Sequence, residues 1–347
     1  MGGFAGQMES GNMQVTLENC WSEGNITSIS DGPLLTGGLV GCFGDIWSKS
    51  SSRNVLKNCY ATGDVTASFV SPDLYDWPPS DGRILPPHQF YTGGLVGYAG
   101  ETDIIECWAS GKVTARQENG ILMSLDMQAG GLAGACINST IKNSYALGDV
   151  ILENTIDIDS TLKAGGLTGS FANGFDLTDP NYAKYSFAAG SVTARAENSV
   201  SEIYTGGIAG YLDANSTVTN TAALGESVST LGGSTLGSGT QNAARVYDTQ
   251  SDGSGNNNYA YRDMKILNDP YWGADSETGS SLSSTSDISP EGKDALITDL
   301  VSVGFWLDPA GLGFNNVSSG MGGITNTWNF AGIEGRGYPL LRNTGGQ

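Results

Sequence analysis

The chain has 347 residues, enough for one elongated domain or two compact ones, and its hydrophobic fraction of 39% is sufficient to build a core. Sixteen basic and 36 acidic residues give a formal net charge of -20, which disfavours binding to nucleic acids or anionic membrane surfaces. No run of 18 apolar residues occurs, so no membrane insertion is expected within this chain.

The chain has 51 glycines, and some of them recur at fixed positions within a Gly-Gly-apolar-x-Gly motif. Clear copies of this motif occupy residues 37–41, 93–97, 130–134, 165–169 and 206–210, and a divergent copy begins at Gly2. The first glycines of successive copies are 35, 56, 37, 35 and 41 residues apart. Self-similarity at this period is typical of a solenoid, in which each repeat forms one coil.

A second block follows each glycine motif and places a Cys, Ser or Thr four residues before a glycine. This row of small residues comprises Cys20, Cys59, Cys107, Ser144, Ser186 and Thr221. In the first five copies an aromatic residue comes next, giving the row Trp21, Tyr60, Trp108, Tyr145 and Phe187. The aromatic rings could face the core, or they could face outward as a platform for sugars; strand alternation cannot place Cys107 and Trp108 on one face without a bend. We favour burial.

The two blocks predict an all-β fold: a repetitive parallel β-solenoid over residues 1–230, with six copies and about three strands per coil. Glycines are expected where a Cβ atom of one rung would collide with the next rung. Asn19, Asn58, Asn143 and Asn220 share a register, so we expect a ladder of side-chain amides that satisfies the backbone at a bend.

Residues 231–347 differ in composition, and we expect them to form a small mixed capping region with one helix. Ser289 and Pro290 have the pattern of a helix start, and the apolar residues from Ala295 to Val301 would continue that helix.

The five cysteines are an odd number, and three of them repeat at one position of the coil, which is not typical of a disulfide framework. A metal-binding row is disfavoured because Ser144, Ser186 and Thr221 continue it. We therefore expect buried free thiols. The single histidine, His88, excludes His-rich metal sites and most catalytic triads.

Together the two blocks resemble the GLUG motif family, named for its Gly-Leu-x-Gly core and found in bacterial surface proteins and some immunoglobulin A peptidases. The resemblance extends over about residues 1–230. It implies an extracellular or cell-surface location and an adhesive role, and it supplies no catalytic residues.

The best candidate for a ligand site is an insertion from Ala67 to Phe90, which accounts for the interval of 56 residues. Loops on rigid scaffolds often bind ligands, and aromatic residues with prolines reduce the entropic cost of binding. The insertion could instead fold down over its coil. Its candidate ligand-binding residues are Tyr75, Trp77, His88 and Phe90.

A second candidate is a calcium site, since Asp248, Gln250 and Asp252 provide oxygen atoms at alternate positions before Gly253. The twelfth position is Tyr259 instead of Glu, which argues against an EF-hand. An irregular calcium site or a polar turn remains, and no other cofactor is expected.

These features favour a non-enzymatic, secreted or cell-surface protein that binds a glycan or a host or extracellular protein, and that is part of a longer surface protein. Two alternatives are a passive stalk and a polysaccharide-degrading β-helix enzyme. The enzyme is disfavoured because no pair of carboxylates recurs across the repeats.

Overall fold

The computed structural model describes residues 1–9, 13–45, 52–70, 89–118, 125–156, 160–174, 181–197, 202–232, 241–248, 253–269, 280–281, 290–314 and 327–342. In these residues the chain forms a parallel β-solenoid of about six coils, which confirms the predicted fold class. Strands of successive coils pair in register and build four sheets that extend along the stack. We number the sheets 1 to 4 in the order in which the chain enters them after each Gly-Gly motif.

Sheet 1 contains β1 (Ala5–Met8), β6 (Val40–Phe43), β11 (Val96–Gly100), β16 (Ala133–Ile137), β21 (Thr168–Ala172) and β25 (Ala209–Leu212). Sheet 2 contains β2 (Thr16–Glu18), β3 (Trp21–Ser22), β7 (Asn54–Lys57), β8 (Tyr60–Ala61), β12 (Thr102–Ile105), β13 (Trp108–Ala109), β17 (Thr140–Lys142), β18 (Tyr145–Ala146), β22 (Tyr182–Ala188), β26 (Thr217–Ala223), β29 (Ser254–Asn256), β30 (Tyr259–Tyr261) and β33 (Lys293–Ala295).

Sheet 3 contains β4 (Ile26–Ser30), β9 (Val65–Phe69), β14 (Val113–Gln117), β19 (Val150–Asn154), β23 (Val192–Ala196), β27 (Ser227–Gly232), β31 (Lys265–Asp269) and the antiparallel β32 (Ser280–Ser281). Sheet 4 contains β5 (Leu34–Gly37), β10 (Gln89–Gly93), β15 (Asp126–Gly130), β20 (Thr161–Gly165), β24 (Glu202–Gly206) and β28 (Gln241–Ala244). The coil thus contributes to four sheets, one more than the expected number of about three strands, because the Gly-Gly motif separates two strands.

The glycines lie where the backbones of neighbouring coils approach most closely. A Cβ atom on Gly94 would lie 2.1 Å from the Gly131 carbonyl oxygen, and one on Gly111 would lie 2.0 Å from the Gly63 carbonyl oxygen. The collision predicted from the repeat is therefore confirmed. The apolar residue of the motif faces inward, and Leu95 is fully buried.

The interior contains two apolar cores. One lies between sheets 1 and 2 and includes Leu56, Val96 and Ile141, and the other lies between sheets 3 and 4 and includes Phe90 and Leu152. Each such buried side chain stabilises the fold by about 1.5–3 kcal/mol relative to an exposed one.

Sheet 2 bends at a residue with left-handed backbone conformation, which precedes the Cys, Ser or Thr of the first six coils and Asn258 after them. The φ angles are 57° at Asn19, 51° at Asn58, 56° at Glu106, 50° at Asn143, 53° at Tyr185, 53° at Asn220 and 54° at Asn257. Asparagine recurs at this register because it tolerates the left-handed region better than most other L residues. The predicted amide ladder is wrong, since the buried Asn143 side-chain amide has no hydrogen-bond partner among the described residues.

The row of small residues instead satisfies the backbone at this bend. The Cys59 N–H donates to Cys107 Sγ at 3.4 Å, the Cys107 N–H to Ser144 Oγ at 3.1 Å, and the Ser144 N–H to Ser186 Oγ at 3.2 Å. The Ser144 hydroxyl also donates to the Lys142 carbonyl oxygen at 2.9 Å. A small side chain that both accepts and donates is therefore required once in each coil.

All five cysteines are free thiols, as predicted; four of them are buried, but Cys20 is only half-buried. Burial raises the pKa of Cys42 and Cys136 to about 12 and raises the pKa of Cys107 well above its usual range. These thiols therefore remain protonated and unreactive near neutral pH.

The coils continue beyond residue 230, the boundary that the sequence indicated. Strands β28, β30, β31 and β33 extend sheets 4, 2 and 3. The fully buried Arg245 joins this last part of the stack to the segment after it, through an ion pair with Asp294 at 2.8 Å and a hydrogen bond to the Gly292 carbonyl oxygen at 3.1 Å.

The described residues of the final segment form three single-turn helices instead of the one helix expected. They are α1 (Ile297–Leu300), α2 (Val303–Leu307) and α3 (Ile333–Arg336), and a hairpin of β34 (Trp328–Asn329) and β35 (Leu340–Leu341) accompanies them. Ser289 of the predicted helix start lies outside the described residues. Pro290 lies in a turn and residues 293–295 pair with β30 as a strand, so the helix begins only at Ile297 and not at Pro290. None of the helices in the described part of the chain is long enough to cross a membrane.

We predict that Asn143→Ala destabilises the protein by about 1–2 kcal/mol, the cost of the left-handed conformation in an L residue without a compensating side chain. Asn143→Gly should change the free energy of unfolding by less than about 0.5 kcal/mol, because glycine adopts this conformation freely and the asparagine amide makes no bond. Urea unfolding of the two variants and the parent measures both values. Equal destabilisation by Ala and Gly would show that the amide group is needed.

Candidate functional site

The aromatic row is the first candidate, and it forms a continuous stack on the outer side of sheet 2. Centroid distances between successive rings are 6.0, 4.8, 5.7 and 5.0 Å, with interplanar angles of 5°, 6°, 11° and 6°. The stack consists of Trp21, Tyr60, Trp108, Tyr145 and Phe187. Strand alternation points the preceding Cys or Ser inward, so the rings point outward from the coil.

The final segment of the chain covers most of this stack. Trp328 packs 6.2 Å from Tyr145 and 5.9 Å from Phe187, and Trp306 contacts the edge of Phe187 at 5.7 Å. The stack has alanine instead of an aromatic residue at Ala222, and this alanine belongs to the same buried cluster as Trp306. The prediction of burial is therefore confirmed for the last four rings but not for Trp21. The expected inward orientation is wrong, because the rings face away from the core and pack with the C-terminal segment.

Only the first ring of the stack is open to solvent, since Trp21 is 58% exposed whereas Trp108 is 3% exposed. A single stacked indole offers one sugar-sized surface, not a platform. The aromatic row therefore serves mainly to hold the C-terminal segment on the flank of the solenoid.

A second candidate site, which we call the cleft, lies between sheets 4 and 1. The Gly-Gly turn joins these two sheets and brings their outer faces together. Tyr91 of sheet 4 stacks on Tyr98 of sheet 1 at 6.1 Å and 15°. Farther along the stack, the Lys163 ammonium lies 5.2 Å from the Tyr211 ring centre.

One part of this cleft is an open cavity of about 350 Å³, a size suited to a small ligand or a short part of a larger one. Its lining residues are Asp45, Gln89, Tyr91, Tyr98, Gly100, Glu101, Ile137, Asn138, Asn173 and Gly174. They come from four successive coils, most of them at or just after the ends of strands. The rigid stack therefore fixes their relative positions.

The polar groups around the cavity are partly held in place by one another. Asp126 accepts hydrogen bonds from Gln128 Nε2 at 2.8 Å and the Tyr91 hydroxyl at 3.4 Å, and it pairs with Lys163 at 3.1 Å. Burial raises the pKa of both Tyr91 and Tyr98 well above the usual range of tyrosine, so both remain neutral hydroxyls near neutral pH.

One acceptor that lines this cavity is buried without a protein partner. The Asn173 side chain donates through Nδ2 to the Ala214 carbonyl oxygen, whereas its Oδ1 atom has no hydrogen-bond partner among the described residues. Buried polar atoms are normally satisfied, so this oxygen is suited to a donor from outside the chain.

Of the four ligand-binding residues predicted in the insertion, only Phe90 is among the described residues. Phe90 is fully buried in strand β10 and belongs to the core between sheets 3 and 4, so it is not available to a ligand. This part of the prediction is wrong, because the insertion ends before β10 and strand alternation turns Phe90 inward. Tyr75, Trp77 and His88 lie outside the described residues. Gln89, the first residue after them, lines the cleft.

Of the predicted calcium ligands only Asp248 is described. It is 6% exposed, and its main-chain oxygen accepts a hydrogen bond from the Leu212 N–H at 2.9 Å. Gln250 and Asp252 lie outside the described residues. No group of three or more His, Cys, Asp or Glu side chains suited to a metal occurs in the described ranges.

Sequence reasoning missed the cleft, although the repeat contains a signal for it. Outer positions of the two sheets lie two residues before the Gly-Gly pair and directly after the last motif glycine. These positions vary more than the glycine motif that separates them: they are Leu35, Tyr91, Gln128, Lys163 and Tyr204 in sheet 4, and Cys42, Tyr98, Ala135, Ser170 and Tyr211 in sheet 1. Residue identity can vary at repeat positions that point outward, because the stacking of coils does not require a particular side chain there.

We predict that Trp328→Ala destabilises the protein by about 3–5 kcal/mol, because this fully buried indole packs on Tyr145, Phe187 and Phe314. Trp21→Ala is the control at the open end of the same stack and should cost about 1 kcal/mol or less. Chemical denaturation measures both. If Trp328→Ala cost no more than Trp21→Ala, the C-terminal segment would not be held by the aromatic stack.

Comparison with known proteins gives one match. The family model of the GLUG motif matches residues 88–114. This stretch includes β10, the Gly-Gly turn, β11, both halves of the bent sheet 2 strand and the beginning of β14, which together make most of one coil. No curated protein and no solved structure matches the chain. Since the other coils pair with this one in register, the chain is a β-solenoid repeat protein that carries the GLUG motif.

Proposed function

We propose that this protein is a non-enzymatic, extracellular or cell-surface module that binds glycans in the cleft between sheets 4 and 1. The observation that carries the proposal is the open cavity whose wall presents amide and carboxylate side chains, supported by two buried, stacked tyrosines. Planar polar groups bind sugar hydroxyls through paired hydrogen bonds. A rigid support reduces the entropic cost of binding.

The charge of the chain supports a sugar over other ligands. A net charge of -20 opposes nucleic acids but has no effect of this kind on a neutral glycan. Asp45 and Glu101 add two further carboxylates to the cavity wall, where they can accept hydrogen bonds from hydroxyl groups. A host or extracellular protein that presents such a glycan is included in the proposal.

An extracellular location is consistent with the state of the thiols. Cys42, Cys107 and Cys136 are buried and remain protonated, which protects them from oxidation outside the cell without a disulfide. The resemblance to surface proteins supports the same location.

The insertion belongs to this proposal because it leads directly into the cavity wall at Gln89. Tyr75, Trp77 and His88 are proposed to extend the binding surface beyond the rim. A calcium ion held by Asp248, Gln250 and Asp252 remains a separate proposal, to be checked by calcium titration of the isolated protein.

The second candidate is a spacer that is part of a longer surface protein. The first coil exposes five large apolar side chains, namely Met1, Phe4, Met13, Trp21 and Ile29. An apolar strand edge of this kind can accept a further coil. Six coils at a spacing of about 4.8 Å would give a rigid unit about 30 Å long.

An array of neutral oligosaccharides, followed by calorimetric titration of the best ligand, tests the proposal. Gln89→Ala should weaken binding by roughly tenfold, the effect of one lost hydrogen bond in a partly enclosed site. Gln14→Ala removes an exposed glutamine of the first coil and should leave affinity unchanged.

Three other outcomes would contradict the proposal in different ways. Absence of binding to any glycan would favour the spacer. Normal affinity in Gln89→Ala combined with loss of binding after deletion of residues 71–88 would place the site in the insertion alone. Shortened sugar products, detected by mass spectrometry, would show a polysaccharide-degrading enzyme.

A further inference from the structure

Charged side chains on the outer faces of this solenoid alternate in sign from coil to coil. Glu18 and Lys57 are register partners in sheet 2, and their charged atoms are 3.0 Å apart. In sheet 3, Glu153 stands between Arg116 and Arg195 in the register and pairs with them at 2.7 and 3.9 Å. Opposite charges at facing positions of neighbouring strands stabilise a sheet, and like charges destabilise it.

Lys142 and Lys184 break this rule. They are direct register partners in the neighbouring strands β17 and β22, and neither lysine forms an ion pair among the described residues. Both side chains are half-buried, so they cannot separate as freely as fully exposed lysines. In a chain with 36 acidic and 16 basic residues, two facing lysines without a carboxylate partner are an unfavourable arrangement that an external anion would relieve.

The surroundings of the two lysines form a binding surface. Lys142, Lys184, Tyr182, Tyr185, Thr217 and Thr219 line a depression of about 500 Å³ on the outer face of sheet 2, which we call the lysine patch. The Lys184 ammonium lies 4.9 Å from the centre of the Tyr185 ring. Thr217 and Thr219 face Tyr182 and Lys184 from the next coil and contribute two hydroxyl groups.

The backbone at Tyr185 has a conformation that few tyrosines adopt. Its φ angle of 53° lies in the left-handed region, at the bend where five of the other six coils have asparagine and one has glutamate. This bend places the tyrosine beside Lys184, and the ring also packs against the cluster that holds the C-terminal segment. The patch therefore has a fixed aromatic wall next to its charges.

We propose that the lysine patch binds an acidic glycan, one that bears carboxylate or sulfate groups. Neighbouring strands are about 4.8 Å apart, so the two ammonium groups can bind anionic oxygens of one short ligand. The tyrosine rings and threonine hydroxyls suit a sugar ring better than an acidic peptide, which would offer no stacking face. The strongly negative rest of the chain restricts the ligand to a short acidic segment.

This site is independent of the cleft, which lies between two other sheets and is lined by Asp45 and Glu101. The two sites differ in charge and therefore in ligand. Binding at the patch should weaken as ionic strength rises, whereas binding of a neutral sugar in the cleft should not.

Titration with oligogalacturonate, short dextran sulfate and unmodified dextran tests the proposal. We expect oligogalacturonate, dextran sulfate or both to bind to the full chain, and dextran not to bind at the patch. Lys142→Gln and Lys184→Gln should each weaken acidic-glycan binding roughly tenfold, since each removes one partly exposed charge-assisted contact. The preferred ligand distinguishes carboxylate from sulfate recognition.

Lys57→Gln is the matched control, because Lys57 occupies the same column of sheet 2 and loses the same charge but is already paired with Glu18. Its affinity for acidic glycans should be unchanged. Lys184→Glu should abolish binding without lowering the unfolding temperature, because it creates the opposite-charge pair found elsewhere on the solenoid. That result would separate loss of binding from loss of folding.

Equal losses in Lys57→Gln and Lys142→Gln would overturn the proposal, because binding would then depend on net charge alone. Equally tight binding of poly-L-glutamate would overturn the assignment to a sugar. Absence of binding to both acidic glycans at low ionic strength would overturn the site itself.

Discussion

One hydrogen-bonding constraint underlies the architecture of this protein. At the bend of sheet 2 a residue in the left-handed conformation turns the following N–H out of the usual ladder between strands. That N–H would be buried without a partner, at a cost of about 1–3 kcal/mol in each coil. The side chain of Cys107, Ser144 or Ser186 accepts it from the neighbouring coil, and so the bend can repeat.

The same bend determines which side chains face outward. The acceptor points into the coil, so the next residue points away from it, and the aromatic row of sheet 2 follows directly. A stack of large rings on an outer face needs a cover. The C-terminal segment supplies it with Trp306 and Trp328, and the end of the chain therefore lies along the flank as well as beyond the last coil.

Stacking thus uses the recurring part of each repeat for the fold and leaves the outer positions free to vary. The cleft and the lysine patch both consist of such positions. In the cleft, variation places tyrosines, amides and carboxylates around a cavity. In the lysine patch, it brings two like charges together where the other described coils have opposite charges or none. We consider the departures from the repeat to be the functional part of the molecule.

The period of the glycine motif and the spacing of the second block were sufficient to predict a parallel solenoid. They were also sufficient to predict close backbone contact at the glycines and free thiols at the cysteines. The sequence analysis assigned the hydrogen bonds at the bend to the row of Asn143, whereas the row of Ser144 makes them. The register identifies residues that stack, but it does not show which of two adjacent rows forms the hydrogen bonds. Phe90 was assigned to the insertion since the exact start of a strand after a long loop has no local signal.

The C-terminal segment was harder to predict, because it has no repeat to define its register. Its residues 293–295 form a strand only because β30 offers an open edge, a tertiary effect that overrides local helix preference. The cleft escaped prediction for a related reason. Tyr91 and Tyr98 are seven residues apart in sequence, and only the turn at the intervening glycines shows that they face each other.

Amide hydrogen exchange at single-residue resolution tests the central claim most directly. The N–H groups of Cys59, Cys107 and Ser144 should be protected as strongly as those of the neighbouring strand residues, because the side chains of the next coil bind them. Rapid exchange at these three positions, with slow exchange at Ile104 and Ile141 on the same strands, would contradict the account.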